Sequence, residues 1–112
     1  QAKSRDAYSF ALPVQGGAHR FSADKVVYIE SSGHNLTFHT VEGDYTMRGP
    51  SMRELEKQLN AHGFARCNTC YIVNLRYCKA VDGFLVNVNG EELQISRSRK
   101  KEFMSALTGS FR

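Results

Sequence analysis

The feature that most constrains the fold is the length of the apolar runs, which extend for about five residues and then meet a turn signal. Residues 26–30 are a β-branched and aromatic run that breaks at Ser31-Ser32-Gly33. Asp82-Gly83 and Asn89-Gly90 are hairpin turn signals between later runs. This spacing favours many short strands. No run approaches the roughly 20 apolar residues of a membrane-spanning helix, so we expect no membrane partner.

The apolar runs predict a β meander within one domain of 112 residues. Pro13 is expected to end the first strand, and the turn at 42–44 makes the third and fourth strands a hairpin. Residues 77–81 either continue the preceding strand or lie just after it. The predicted strands cover residues 8–12, 26–30, 36–41, 45–47, 71–75, 77–81, 84–88 and 93–95.

Two short helices complete the predicted architecture. Ser51 followed by Glu54 is a capping-box pattern, and His62-Gly63 is a typical helix end. A second helical pattern begins at Ser98 or Arg99. The apolar stripes expected to pack against the sheets are Met52, Leu55 and Leu59 in the first helix, and Phe103, Met104 and Leu107 in the second.

The formal net charge of +4 is concentrated at the C-terminal end. Residues 1–94 carry ten Lys/Arg and ten Asp/Glu, whereas residues 95–112 carry five basic residues and one acidic residue. Residues 62–81 carry three basic residues and no acidic one. Local positive charge attracts polyanions. Nucleic acid is therefore one expected partner, although a basic tail that only aids solubility has the same composition.

The start of the chain and its cysteines suggest where the protein resides and that the chain is part of a longer one. The chain begins with Gln1 rather than Met, so we expect it to be part of a longer protein. Its start has no signal-peptide pattern. Three cysteines, an odd number, cannot all pair within one chain, which is typical of a reducing environment. We therefore expect a cytoplasmic protein.

The cysteines and histidines supply the residue types of an enzyme or a metal site, but no motif joins them. The hydrolase elbow, the P-loop and the dinucleotide fingerprint are absent. Cys67 and Cys70 form a CxxC with Cys78 nearby, yet zinc would need a fourth ligand such as His62. We therefore expect no enzyme activity, no cofactor and no metal. A redox role stays open, because a thiol beside Arg66 could have a lowered pKa.

Polar residues adjoin three of the predicted strands. One segment follows strand 26–30, a second precedes strand 71–75, and a third follows strand 93–95. Arginine can donate two hydrogen bonds to guanine, asparagine can pair with adenine, and lysine or hydroxyl groups contact phosphates. Donors on a rigid β scaffold indicate DNA or RNA binding. The candidate residues are His34, Asn35, Asn68, Thr69, Cys70, Arg97, Arg99, Lys100 and Lys101.

These segments lie within blocks that resemble the LytTR DNA-binding domain, the C-terminal output domain of LytR/AlgR/AgrA-type response regulators in bacterial two-component systems. The blocks are VYIESSGHN at 27–35, FARCNTCYIVNL at 64–75 and LQISRSRKK at 93–101. The helical segment MRELE at 52–56 is also similar to the family pattern. The resemblance spans nearly all of residues 8–107, and its middle block is highly specific.

The resemblance implies a mainly β fold: an elongated arrangement of about ten short strands in small antiparallel sheets, with two short helices. It also implies sequence-specific binding to double-stranded DNA that controls transcription, through loops that enter successive major grooves. Partners implied are direct or inverted repeat promoter sites, a second regulator copy and an N-terminal receiver domain absent from this chain. Residues 1–7 would be the remnant of an interdomain linker.

The resemblance also assigns roles to single residues. His34 and Asn35 would occupy the first base-reading loop, Asn68 and Thr69 the second, and Arg97 the third. Lys100 and Lys101 would lie near phosphates. Glu30 and Asn74 are interpreted as structural residues that fix loops by hydrogen bonding.

One departure affects the second loop. The family commonly has His-Arg-Ser where this chain has Asn68-Thr69-Cys70. The arginine donor is lost, and a thiol is a weaker donor than a hydroxyl. We therefore expect DNA binding with a different specificity.

Two other functions fit the same residues. In a β module for RNA or single strands, Tyr28, Phe38 or Tyr45 would stack on bases. In a protein-interaction β module, an unpaired edge strand would bind a partner.

Overall fold

The computed structural model describes residues 8–14 and 16–109, which form ten short strands and two helices. The suggested linker at residues 1–7 lies outside the described residues. The helices are α1 (Met52–Leu59) and α2 (Lys100–Gly109). The strands are β1 (Ser9–Val14), β2 (Gly17–Ser22), β3 (Val26–Ser32), β4 (Asn35–Thr40), β5 (Gly43–Arg48), β6 (Phe64–Asn68), β7 (Tyr71–Asn74), β8 (Cys78–Asp82), β9 (Leu85–Val88) and β10 (Glu91–Gln94).

The described strands form three antiparallel sheets, which confirms the predicted fold class. The central sheet has the strand order β5-β4-β3-β7-β6. A three-stranded meander has the order β10-β9-β8, and β1 pairs with β2 alone. The run predicted at 77–81 does not continue β7. Instead the short 3₁₀ turn Leu75–Tyr77 carries the chain into the meander.

The central sheet separates two hydrophobic cores, because successive side chains of a strand point to opposite faces. From β3, Ile29 enters the first core and Tyr28 the second. A register shift between Val26 and Tyr28 interrupts the alternation, so that Val26 joins the first core and Val27 the second. Helix α1 and the β1–β2 hairpin close the first core. Helix α2 and the meander close the second. The meander is thereby held against one face of the central sheet.

Helix α1 forms where its capping pattern predicts. The Ser51 hydroxyl accepts a hydrogen bond from the Glu54 amide at 3.2 Å, which satisfies one of the free N–H groups of the first turn. The predicted stripe of Met52, Leu55 and Leu59 is buried. A 3₁₀ turn follows, and Gly63 ends it with a φ of +85°, a left-handed conformation that suits glycine.

Two strands were not predicted, and several predicted boundaries differ from the structure; the strands predicted at 45–47 and 93–95, for example, begin two residues earlier. β2 and β6 were missed. The first strand does not stop at Pro13 but continues to Val14. Each strand of a two-stranded sheet has one unpaired edge, and proline, which lacks an N–H, is tolerated there.

The two residues interpreted as structural make different contacts. Asn74 is buried, and its amide nitrogen donates to the carbonyls of Ala23 at 3.1 Å and Val26 at 2.8 Å. Its side-chain oxygen accepts from the Arg76 amide at 3.1 Å. Asn74 therefore fixes a turn, as predicted. Glu30 contacts a strand rather than a loop among the described residues: its carboxylate lies 3.0 Å from His39 Nε2 of β4.

Across residues 8–14 and 16–109, neither helix is long and apolar enough to cross a membrane.

Candidate nucleic-acid interface

The first candidate turn joins β3 to β4. It consists of Gly33 and His34, with Ser32 opposite Asn35 in the strand register. Gly33 has a φ of +63°, which glycine adopts without steric cost. The turn is tighter than the loop expected at 31–35, because Asn35 already belongs to β4. His34 and Asn35 are both exposed, so an imidazole and an amide reach solvent side by side.

The second candidate turn, Thr69-Cys70, joins β6 to β7, and Asn68 immediately precedes it. The Asn68 side-chain oxygen accepts from the Cys70 amide and from the Thr69 hydroxyl, both at 3.3 Å. The Asn68 amide nitrogen donates to the Gln94 carbonyl at 3.0 Å. Asn68 therefore organises the turn. Thr69 is exposed, whereas Cys70 is half-buried.

The first two turns are neighbours on the molecular surface. The Ser31 amide donates to the Cys70 carbonyl at 2.9 Å, which ties the end of β3 to the second turn. An open groove runs between the turns and the start of α1. The side chains that line it include His34, Asn35, Arg48, Arg66 and Thr69.

Arg48 is a groove residue that the sequence analysis missed. It is exposed on β5 and stands opposite Asn35 of β4. The hairpin register brings it there. The only signal in the sequence was a basic residue at the end of a predicted hairpin strand.

The third candidate segment, residues 96–101, follows β10 and is fastened to β6. The Ser96 amide donates to the Cys67 carbonyl at 2.9 Å. Arg97 then begins the 3₁₀ turn Arg97–Arg99, and Lys100 and Lys101 begin α2. Arg97 and Lys101 are exposed, and Lys100 is half-buried. The third segment thus adjoins the strand that leads into the second turn.

Arg99 differs from its neighbours because it is directed toward α1. Its guanidinium lies 4.0 Å from the Glu56 carboxylate, and its side chain is 27% exposed. Arg66 lies 3.2 Å from the same carboxylate and also donates to the Thr69 carbonyl at 2.9 Å. Glu56 therefore links α1 to both the second turn and the third segment. As a DNA-binding residue, Arg99 stays a prediction.

Phe84 is a second surface residue that the sequence analysis did not single out. It lies in the β8–β9 turn and is 36% exposed. The Arg97 guanidinium carbon lies 4.8 Å from the ring centroid, and Lys100 Nζ lies 4.5 Å from it. Lys100 Nζ also donates to the Gly83 carbonyl at 2.5 Å. A large apolar residue immediately after Asp82-Gly83 was the available signal.

The three cysteines are free thiols, and two of them are buried. Burial raises the pKa of Cys67 to about 12 and the pKa of Cys78 to about 12. The suggestion that Arg66 lowers the pKa of a neighbouring thiol was wrong for Cys67, because loss of solvation outweighs any nearby positive charge. Among the described residues, no three His, Cys, Asp or Glu side chains are grouped to hold a metal ion.

These pKa values predict slow alkylation of the two buried thiols. A protonated thiol is a poor nucleophile, so Cys67 and Cys78 should stay unmodified by iodoacetamide at pH 8 in the folded protein. The half-buried Cys70 should react first. Peptide mass spectrometry over time measures this order, and the unfolded protein, in which all three thiols react, is the control. Modification of Cys67 ahead of Cys70 would contradict the assignment.

Comparisons with known proteins point in one direction. A family model described as the LytTr DNA-binding domain matches residues 16–108. Among curated proteins, the transcriptional regulatory protein LytR of Staphylococcus aureus strains N315 and NCTC 8325 is 25% identical over 105 residues. These alignments cover 88% of this chain and 42% of LytR, so the chain spans less than half the length of these relatives.

A solved structure matches over almost its whole length. It is the LytTr DNA-binding domain of a methyl-accepting/DNA response regulator from Bacillus cereus. The two chains are 28% identical and superpose with a TM-score of 0.74. The match covers 88% of this chain and 95% of the other.

Proposed function

The chain belongs to the LytTR family of DNA-binding domains, and from that premise we propose that it binds a specific sequence of double-stranded DNA. It acts as the output domain of a response regulator that controls transcription, and it performs no catalysis itself. The bound sites are direct or inverted promoter repeats occupied by two regulator copies. A receiver domain N-terminal to this chain carries the signal.

One observation carries the proposal: backbone hydrogen bonds connect three segments that carry hydrogen-bond donors, the first to the second and the second, through the strand before it, to the third. The bond from Ser31 to Cys70 joins the first turn to the second. The bond from Ser96 to Cys67 joins the strand before the second turn to the third segment. No Asp or Glu occurs at 31–35, 68–70 or 96–101. A rigid row of donor segments that carry no acidic residue of their own suits a protein that approaches phosphates and base edges together.

Each segment has a separate role in the proposed complex. His34 and Asn35 read bases from the first turn, and Thr69 contacts base or backbone from the second. Asn68 holds the second turn in shape, since its amide already has protein partners. Arg97 is exposed and reads a base from the third segment, where a guanidinium suits the two acceptors of guanine. Lys100 and Lys101 contact phosphates, and Cys70 and Arg99 lie at the edge of the DNA-contacting surface.

The size of the domain supports binding along one side of the duplex. Its dimensions are 42 × 40 × 24 Å. One turn of B-DNA rises roughly 34 Å, so the longest dimension can bring separate segments to neighbouring major grooves. The three sheets share two continuous cores, which supports a single domain that docks as one body.

Duplex DNA is favoured over single strands by the burial of the aromatic residues. Tyr28 is 8% exposed and Phe38 is fully buried, so neither can stack on an unpaired base. Tyr45 is half-buried and packs against His19, with ring centroids 4.4 Å apart. The stacking platform that the single-strand alternative requires is therefore not offered by these side chains.

Selection from random duplexes, followed by footprinting, tests the proposal. The expected result is one enriched motif protected over about one helical turn per domain, with unlabelled single strands competing poorly. Efficient competition by single-stranded DNA or RNA would favour the alternative nucleic-acid function. The absence of any salt-sensitive retention of DNA would overturn the proposal and favour protein binding through an unpaired strand edge.

The basic start of α2 should contribute electrostatics without sequence information. Lys101→Ala should weaken binding to selected and random duplexes equally and lower the slope of log K against log salt by about one. The reason is that one fewer counterion is released per complex. Fluorescence anisotropy at several salt concentrations measures the slope. Lys57→Ala removes the same charge from an exposed position on α1, and it should leave the slope unchanged.

A further inference from the structure

We infer that Phe84 is a positioning residue for base recognition: its ring holds the Arg97 guanidinium in the orientation that DNA requires. The inference rests on the proposed function, because Arg97 is the proposed base-reading residue of the third segment. Phe84 itself lies in the turn between β8 and β9, outside the three candidate segments.

The contact has the geometry of a cation–π interaction. The Arg97 guanidinium carbon is 4.8 Å and Lys100 Nζ is 4.5 Å from the ring centroid of Phe84. Both distances are within the roughly 6 Å over which an aromatic face attracts a cation. Within the described part of the chain, neither cation forms an ion pair with a carboxylate. The ring orients the cations without neutralising the charge that DNA would meet.

The backbone keeps the ring and the guanidinium in register. The Ile95 amide donates to the Phe84 carbonyl at 2.7 Å, and Ile95 lies two residues before Arg97. Lys100 Nζ donates to the neighbouring Gly83 carbonyl. Two bonds thus connect the β8–β9 turn to the third segment and to Ile95 just before it. An arginine on such a support loses less side-chain entropy when it binds a base than one that extends freely into solvent.

Phe84 is 36% exposed, so part of the ring remains at the surface, where the two cations are its polar partners.

Binding by substituted proteins tests the inference. Phe84→Leu keeps an apolar side chain but removes the aromatic face, so affinity for the selected duplex should fall about two- to five-fold, with random duplex unaffected. Phe84→Tyr keeps the aromatic face, so it should retain the affinity of the unsubstituted protein. Leu85→Ala is the control, since Leu85 is the adjacent exposed apolar residue at 43%, and it should have no effect. Thermal unfolding of each variant separates positioning from a loss of fold.

A double-mutant cycle identifies Arg97 as the residue through which Phe84 acts. In the Arg97→Ala background, Phe84→Leu should change the affinity for the selected duplex less than about 1.5-fold. An undiminished loss in that background would overturn the inference, because Phe84 would then contact DNA itself. Equal losses on selected and random duplexes would overturn it as well.

A measurement on the free protein keeps this inference distinct from the proposed function. The Arg97 Hδ and Lys100 Hε protons should be shifted upfield by the ring current of Phe84, and the shift should vanish in Phe84→Leu. Absence of the shift in the unsubstituted protein overturns the inference, whether or not the protein selects a duplex. If the shift is present but no duplex is selected, the proposed function fails and the role in base recognition fails with it, leaving only the cation–π contact.

Discussion

Replacing Arg97 with alanine should weaken binding to the selected duplex by about 1–3 kcal/mol, roughly five- to 150-fold, with little change on random DNA. Arg97 is exposed at the start of the third segment and has no carboxylate partner among the described residues. Its five donors are thus available to a base, and a bidentate pair with guanine is lost completely on truncation. Anisotropy titrations of both duplexes at one salt concentration measure the effect.

Two further variants separate base recognition from charge. Arg97→Lys keeps the positive charge but cannot form the planar two-point contact, so it should lose most of the specific affinity and keep the non-specific affinity. Arg20→Ala removes a guanidinium from an exposed position on β2 and should leave the specific affinity close to that of the unsubstituted protein. Equal losses on both duplexes for Arg97→Ala would reassign Arg97 to a phosphate.

Local signals were sufficient for some elements of the fold and insufficient for others. Helix α1 was predictable because Ser51, its apolar stripe and Gly63 all act within a few residues of one another. β6 was missed because it contains Arg66, a charged residue whose burial depends on Glu56 of α1. β2 was missed because four of its six residues are exposed in a two-stranded sheet, so no continuous apolar run marks it.

The candidate interface shows the same division. The positions of His34 and Arg97 were predictable from blocks that resemble a family, and each lies two or three residues after the end of a strand. The contacts of Asn68 and Phe84 were not predictable, because their partners are distant in sequence. Gln94, for example, is 26 residues from Asn68. Contacts of this kind arise only when the meander folds against the central sheet.

The junction between those two sheets depends on Asn74, and its loss should destabilise the domain by roughly 2–4 kcal/mol. Its side chain makes three hydrogen bonds, two to carbonyls before and at the start of β3 and one from the Arg76 amide. Asn74→Leu keeps a similar volume and suits the extended backbone of residue 74, but it leaves these buried groups without that partner. The midpoint of urea denaturation measures the change.

An exposed asparagine provides the matched control for this substitution. Asn60 is exposed at the C-terminal end of α1. The substitution Asn60→Leu should change the free energy of unfolding by less than about 0.5 kcal/mol. A change that small for Asn74→Leu would contradict the assignment. Because small domains are stable by only about 5–15 kcal/mol, the expected loss is large. The turn after β7 leads into the meander, which carries Phe84 and precedes Arg97. When the Asn74→Leu protein is warmed, we therefore expect its DNA binding to weaken at the same temperature at which the domain unfolds, and not at a lower one.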